Sequence, residues 1–259
     1  MHLGFRLFRA DTAKRFEDNA HFKGVVDFLA LFDYEKISSI IPLLGFSKSQ
    51  VQQDLFVALM YDGKREGSFV EFGAADGKYL SNTYLLEKEL SWRGVLSEPA
   101  RQWKKILETN RSAYISNECV WSESGKFLKF VEANELSTLD LFRKSDGHSR
   151  NRKFSKTYNV PTISLNDLLF KYSMPTEIDF MSIDTEGSEF EILENFDFDS
   201  HKVGILTVEH NYTEARDKIY KLMKKNKYLR VKLEHSRFDD WYISEKLEQR
   251  VNELGLETD

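Results

Sequence analysis

The residues best suited to chemistry are acids placed where apolar segments end. Glu71 sits inside Phe69-Val70-Glu71-Phe72, which runs into Gly73-Ala74-Ala75-Asp76-Gly77. Two glycines four residues apart permit a tight turn and let a ligand come close to the backbone, because glycine lacks a side chain and tolerates positive φ. The acids at Glu71 and Asp76 would repel a pyrophosphate. They suit a ligand with a cationic or hydroxyl-rich end, such as the ammonium and sulfonium of S-adenosylmethionine. An ordinary strand-to-helix turn is the alternative. Glu98 follows one unit later and can accept both hydroxyl hydrogens of a ribose.

Further along, Asp184-Thr185-Glu186-Gly187-Ser188-Glu189 puts three carboxylates behind the apolar run Ile178 to Ile183. Asp184 suits hydroxyl positioning, proton acceptance or metal coordination, while Glu189 suits a helix N-terminus. Glu209-His210-Asn211 ends the next apolar run. There a carboxylate beside an imidazole suits a base with its orienting partner, or metal ligands completed by Asp184. The alternative is a core histidine bonded to backbone.

The elements that must position these groups alternate between strand and helix, which predicts a doubly wound, mostly parallel α/β sheet. Strands are expected at Ser68 to Phe72, Val95 to Ser97, Ala113 to Trp121, Val160 to Ile163, Ile178 to Ile183 and Val203 to Val208. Tyr228 to Glu234 and Trp241 to Ser244 would close the sheet as an antiparallel pair. Helices are expected over Tyr79 to Trp92, Gln102 to Asn110, Ser164 to Lys171, Glu189 to Asn195 and Thr213 to Asn226, the last capped by Thr213. Gly125 suggests a hairpin between Trp121 and Lys126 to Val131. Residues 1–66 read as a helical extension with Ser49 capping Val51 to Tyr61. Residues 67–245 read as the main domain and 246–259 as a solvated helix and tail. The basic stretch Lys144 to Lys156 reads as a long loop, either solvated or able to close over substrate and read acidic groups.

Composition narrows the partners. The 259 residues carry a formal charge of −5, which argues against non-specific nucleic-acid or acidic-lipid binding. Cys119 is the single cysteine, so neither an intrachain disulfide nor a cysteine-rich zinc site can form. No run reaches membrane-span length, and a cytoplasmic protein is expected. Leu3 to Arg15 reads as an element packed on the domain, with a peripheral membrane contact as the alternative. A homo-oligomer stays open.

Four blocks resemble the FkbM-type methyltransferases, a family with the Rossmann-like class I methyltransferase fold. They are Ser49 to Asp54 with Phe69 to Leu86, Trp92 to Asn110, Pro161 to Leu169 with Ile178 to Leu193, and Arg237-Phe238-Asp239-Asp240-Trp241-Tyr242. The resemblance implies a seven-stranded sheet with an antiparallel C-terminal strand, and S-adenosylmethionine as cofactor. It implies that Gly73, Asp76 and Gly77 line the methionine, with Ser81 and Asn82 close by and Glu71 in the same pocket. Glu98 would hold the ribose, and Asn117, Glu118 and Cys119 would neighbour the adenine. Related sugar O-methyltransferases imply magnesium ligands at Asp184, Glu209 and His210. The expected reaction is O-methylation of a carbohydrate hydroxyl, as in polysaccharide biosynthesis, with His210 as base and Asp184 and Glu209 orienting it or holding the ion. A small natural product as acceptor, or a non-catalytic adenosylmethionine-binding partner, are the alternatives.

Overall fold

The computed structural model describes residues 19–145, 149–150, 152–153 and 155–259. The expectation for Leu3 to Arg15 and the His148 part of the basic stretch lie outside them.

Apolar runs with β-branched and aromatic residues form the central strands. β1 (Ser68–Phe72), β2 (Arg93–Ser97) and β3 (Tyr114–Ser116) run parallel in that order to one side. β4 (Cys119–Trp121), β5 (Phe127–Glu132), β6 (Thr138–Leu139) and β7 (Lys156–Ser164) form a separate four-stranded sheet in the order β4-β7-β5-β6. The chain then returns to the other side of β1 with β8 (Glu177–Ile183) and β9 (Lys202–Glu209), both parallel to it. β10 (Tyr228–Lys232), β11 (Asp239–Ser244) and β12 (Glu257–Thr258) complete an eight-stranded sheet, β12-β10-β11-β9-β8-β1-β2-β3. β11 is antiparallel to both of its neighbours, and β12 is antiparallel to β10. The chain reverses its direction of winding between β1 and β8, so a crevice must open at their carboxyl ends.

The expected sheet is thus extended by one edge strand, because the tail is not solvated. Val251 and Leu254 of the helix Glu248–Leu254 are buried in the core with Phe56, Leu59 and Trp241, and this delivers β12 to β10. The helices at 19–29 and 53–60 share that core cluster. Ala113 to Trp121 is not one strand: at Asn117-Glu118 the chain leaves the large sheet for the small one, held by the Ser97 hydroxyl donating to Glu118 O (2.8 Å). The hairpin expected at Gly125 does not form either, since β5 pairs with β6 and β7 and never with β4.

Helix starts shift for local reasons. The helix expected from Tyr79 begins at Tyr84, because residues 81–83 fold around the Glu71 carboxylate instead. The last long helix runs Ala215–Lys225, and Thr213 spends its hydroxyl on His210 O rather than on a helix N–H. Gln52, in the left-handed region at φ 61, is the cap residue of Gln53–Met60. Ser49 still accepts the Asp54 N–H at 3.3 Å. Ser164 caps Leu165–Lys171 as expected, accepting from Asp167 N–H. Among the described residues no helix is long and apolar enough to cross a membrane.

Candidate active site

Two chambers open side by side at the β1–β8 crevice. The smaller, about 40 Å³, lies between Phe72, Glu98, Cys119, Val120 and Phe130. The larger, about 270 Å³, lies between Glu71, Asn82, Leu136, Glu209 and Phe238. Gly73, Glu135, Asp184 and Glu186 face both.

The wall between the ends of β1 and β8 is thin because Gly73 is a glycine. Its φ is +72°, and a Cβ there would stand 1.9 Å from Asp184 O. Gly77, at φ +77°, serves packing instead: a Cβ would strike Leu107 Cδ1 at 2.4 Å, beneath the helix Lys104–Asn110. Asp76 lines neither chamber, and its carboxylate accepts the N–H groups of Lys78 (2.8 Å) and Tyr79 (2.7 Å).

Glu71 is buried and builds the far wall. It accepts Asn82 N–H (2.7 Å) and the hydroxyls of Ser81 and Thr83, and faces Arg111 Nη1 at 3.4 Å. The fully buried Arg111 also bonds Glu87 through Nε (2.7 Å) and Gly77 O through Nη1 (3.1 Å). This network fixes Asn82, whose amide N–H donates to Ser182 Oγ (2.8 Å) while its Oδ1 is buried without a partner. Arg111→Met leaves Glu71 and Glu87 without their counter-charge. A loss of about 3–5 kcal/mol in urea denaturation is expected, together with loss of the wall around Asn82.

Glu98 accepts Ala75 N–H (2.8 Å) and Ala100 N–H (2.7 Å), which aims the carboxylate across the smaller chamber. Burial pushes it up to about 7 against these bonds. Cys119 lines the same chamber, and burial raises its thiol to about 12, which keeps it protonated. Asn117 and Glu118 line neither chamber, and Glu118 pairs with Lys171.

The acids gather at the strand ends. Oxygens of Asp184, Glu186 and Glu209 lie within 4.8 Å of one another. Burial, then the charge of Glu189, pushes Asp184 up to about 7, and a hydrogen bond with Glu209 opposes the shift. Burial, then Asp184, holds Glu209 well above its ordinary value. Two such carboxylates titrate as a pair that shares a proton. Glu189 does not join them. Its Oε1 accepts the N–H groups of Thr185 and Gly187 and so braces the turn.

His210 is not brought to the crevice. Side chains alternate along a strand, so with Glu209 facing in, the next residue faces away. Its Nδ1 accepts Tyr212 N–H (3.0 Å), and Nε2 stands 3.7 Å from Asp240 Oδ1. Burial lowers its pKa to about 4, so the ring is neutral and shaped to accept. In the acid cluster the position expected for His210 is taken by Glu186, the one of the three carboxylates after β8 to which the sequence assigns no role. Its signal was the Glu-Gly pair: Glu186 (φ 60) and Gly187 (φ 127) turn the chain back over the site.

The basic stretch contributes one group to the site. Arg152, fully buried, donates Nη2 to Glu186 Oε2 (2.7 Å) and Nε to Leu136 O (2.7 Å). Arg143 ties the same stretch down by donating to Arg152 O and Lys153 O. No described basic side chain lines either chamber.

A family profile described as "Methyltransferase FkbM domain" matches residues 71–240. Among solved structures, the chain is similar to a precorrin-6y C5,15-methyltransferase from Geobacter metallireducens GS-15. The identity is 11%, over 73% of this chain and 85% of that one, with a TM-score of 0.37. It is also similar to a fibrillarin/Nop5p complex at 10% identity, over 71% of this chain and 77% of that one, with a TM-score of 0.35. No curated protein sequence matches the chain.

Proposed function

The chain belongs to the methyltransferase FkbM domain family, and from that premise we propose that it is an S-adenosylmethionine-dependent O-methyltransferase acting on a carbohydrate hydroxyl. One observation carries the reading: the carboxylates of Asp184 and Glu209, with oxygens within 4.8 Å of each other, stand where the chamber beside Glu98 opens into a larger one.

The residues present fit the methyl donor. Phe72 and Val120 offer apolar walls for the adenine, and the Glu98 carboxylate accepts from ribose hydroxyls. Asn82 Oδ1, buried and unpartnered, accepts from the ammonium. Gly73 leaves the space beside Asp184 that a Cβ would fill. When bound, S-adenosylmethionine supplies an activated methyl group and a neutral thioether leaving group.

The protein's share of the chemistry is alignment and proton removal. A sugar hydroxyl is a weak acid, so a base whose pKa lies near neutrality takes its proton most effectively. Asp184 meets that condition, and burial together with the Asp184 charge holds Glu209 beside it well above its ordinary value. His210 has neither the position nor the basicity, and here it holds the Tyr212 backbone.

A divalent ion fits this cluster poorly. Of its three carboxylates, Glu186 is already committed to the Arg152 guanidinium, and a second, doubly charged cation beside that group is repelled. Methyl transfer is therefore expected to survive EDTA undiminished, as measured with a tritiated methyl donor on a glycan panel. Calorimetry is expected to show one S-adenosylhomocysteine per chain with a Kd of about 10 μM or tighter. Absence of binding would sink the reading.

A further inference from the structure

The turn that follows β9 is strained where it borders the larger chamber. Asn211 (φ 43) and Tyr212 (φ 57) are consecutive non-glycine residues in the left-handed region. Asparagine visits that region readily, whereas a bulky residue such as tyrosine seldom does. The conformation is pinned from several sides. The N–H groups of His210 (2.8 Å) and Asn211 (3.3 Å) both donate to Phe238 O, and Thr213 N–H donates to His210 O (2.8 Å). Tyr212 N–H donates to His210 Nδ1 (3.0 Å). The buried His210 ring also meets the Tyr212 ring edge-on, with centroids 5.2 Å apart, and so sets its direction.

These bonds hold in place two side chains that have no hydrogen bonds of their own among the described residues. Asn211 lines the larger chamber together with Glu209. Tyr212 is not part of that lining and is 71% exposed, so its ring adds little to the core. Backbone strain kept for side chains that the packing does not need points to a ligand.

The order of the strands separates the two substrates. It runs β9-β8-β1-β2. Gly73, Asn82 and Glu98, the groups assigned to the methyl donor, follow β1 and β2, whereas Asn211 follows β9. Asp184, at the end of β8, stands between them. In-line transfer needs the acceptor oxygen on the side of the methyl group away from the sulfur, and that is the β9 side. An amide both donates and accepts, which matches neighbouring hydroxyls of a sugar. A tyrosine ring offers a flat apolar face to the C–H groups of a pyranose.

Resting on the methyltransferase reading above, we propose that Asn211 and Tyr212 form the acceptor subsite and that the acceptor is an oligosaccharide. Asn211 bonds the unit being methylated inside the chamber, and Tyr212 stacks on the unit next to it outside. A free monosaccharide in the chamber would leave the Tyr212 ring unused.

The test uses the full chain saturated with S-adenosylhomocysteine and titrated with glucose, galactose and mannose and with disaccharides of each, followed by saturation-transfer NMR. At least one disaccharide is expected to bind about tenfold more tightly than its own monosaccharide. Tyr212→Ala is expected to erase that gap and Tyr212→Phe to keep it. Asn211→Gly keeps the left-handed backbone and removes the amide, and is expected to weaken monosaccharide and disaccharide alike by about fivefold. All three variants should bind S-adenosylhomocysteine as wild type does, with circular dichroism confirming that they are folded. Absence of the gap in wild type overturns the proposal, as does its survival in Tyr212→Ala. Loss of S-adenosylhomocysteine affinity in a folded variant would assign the turn to the donor and overturn it too. Binding of S-adenosylhomocysteine with none of the sugars overturns this inference alone. Failure of S-adenosylhomocysteine itself to bind overturns the methyltransferase reading and this inference with it.

Discussion

Gly73→Ala is expected to weaken S-adenosylhomocysteine binding by about 100-fold or more and to abolish methyl transfer, while Gly125→Ala leaves both near the wild-type level. The two glycines share a left-handed backbone, φ +72° and +78°, so alanine strains each alike. At Gly125 an added Cβ meets nothing within 4 Å, and the cost is the backbone term alone, about 1 kcal/mol. At Gly73 the same atom falls 1.9 Å from the carbonyl oxygen of Asp184 and 3.1 Å from its carbon. Neither partner is a flexible side-chain tip, so the end of β1 must part from the end of β8. Those ends hold both chambers, and a shift of an ångström there carries Asp184 away from its partners. Calorimetry on both variants, with circular dichroism to confirm that each is folded, separates strain from collision. Wild-type affinity in folded Gly73→Ala would detach this turn from cofactor binding.

The contrast between these glycines also marks how far the sequence could be read. The turn, the acid at Glu98 and the carboxylates after β8 stand out because apolar runs do not end in charges by accident. Gly73, Glu98, Asp184 and Glu186 reach the crevice, while Asp76 and Glu189 brace the backbone around it. What escaped notice depended on direction and on long-range packing. Glu209 and His210 are adjacent in sequence, yet strand alternation sends one into the site and the other toward Asp240. Only the register of β9 against β8 and β11 decides which. Asn117-Glu118 lies within what reads as one strand, whereas it is the exit to a second sheet, where Cys119 pairs with Thr162 in β7. Arg152 sits among exposed cations, and nothing nearby in sequence reveals that Glu186, 34 residues on, would bury it. Periodicity reports which residues are apolar on one face of an element. It is silent on which distant charge will neutralise which.

Asp184→Asn is expected to lower kcat by roughly 10²–10⁴-fold and yet to raise thermal stability above neutral pH. Burial lifts the native pKa of Asp184 to about 7 from its ordinary 3.8. Between those values the unfolded chain has lost a proton that the native state keeps, so stability falls as pH rises through that window. Activity runs the opposite way: the base must be ionised, so kcat climbs with pH and levels off above about 7. The protein is therefore least stabilised at this site where it is most active, which is how a buried base held for catalysis differs from a carboxylate held for structure. Asparagine removes the ionisation, so the variant should melt several degrees above wild type at pH 8, and the gap should close towards pH 4. Glu209→Gln should do the same, because burial and the Asp184 charge raise its pKa as well, and the double variant should gain less than the two single gains added together, since the two carboxylates interact. Thermal melts of the three variants at pH 4, 6 and 8, beside the pH–rate profile of wild type, decide the matter. Destabilisation by Asp184→Asn at pH 8 would mean that the carboxylate is a structural acceptor, and the base would then have to be sought elsewhere in the crevice.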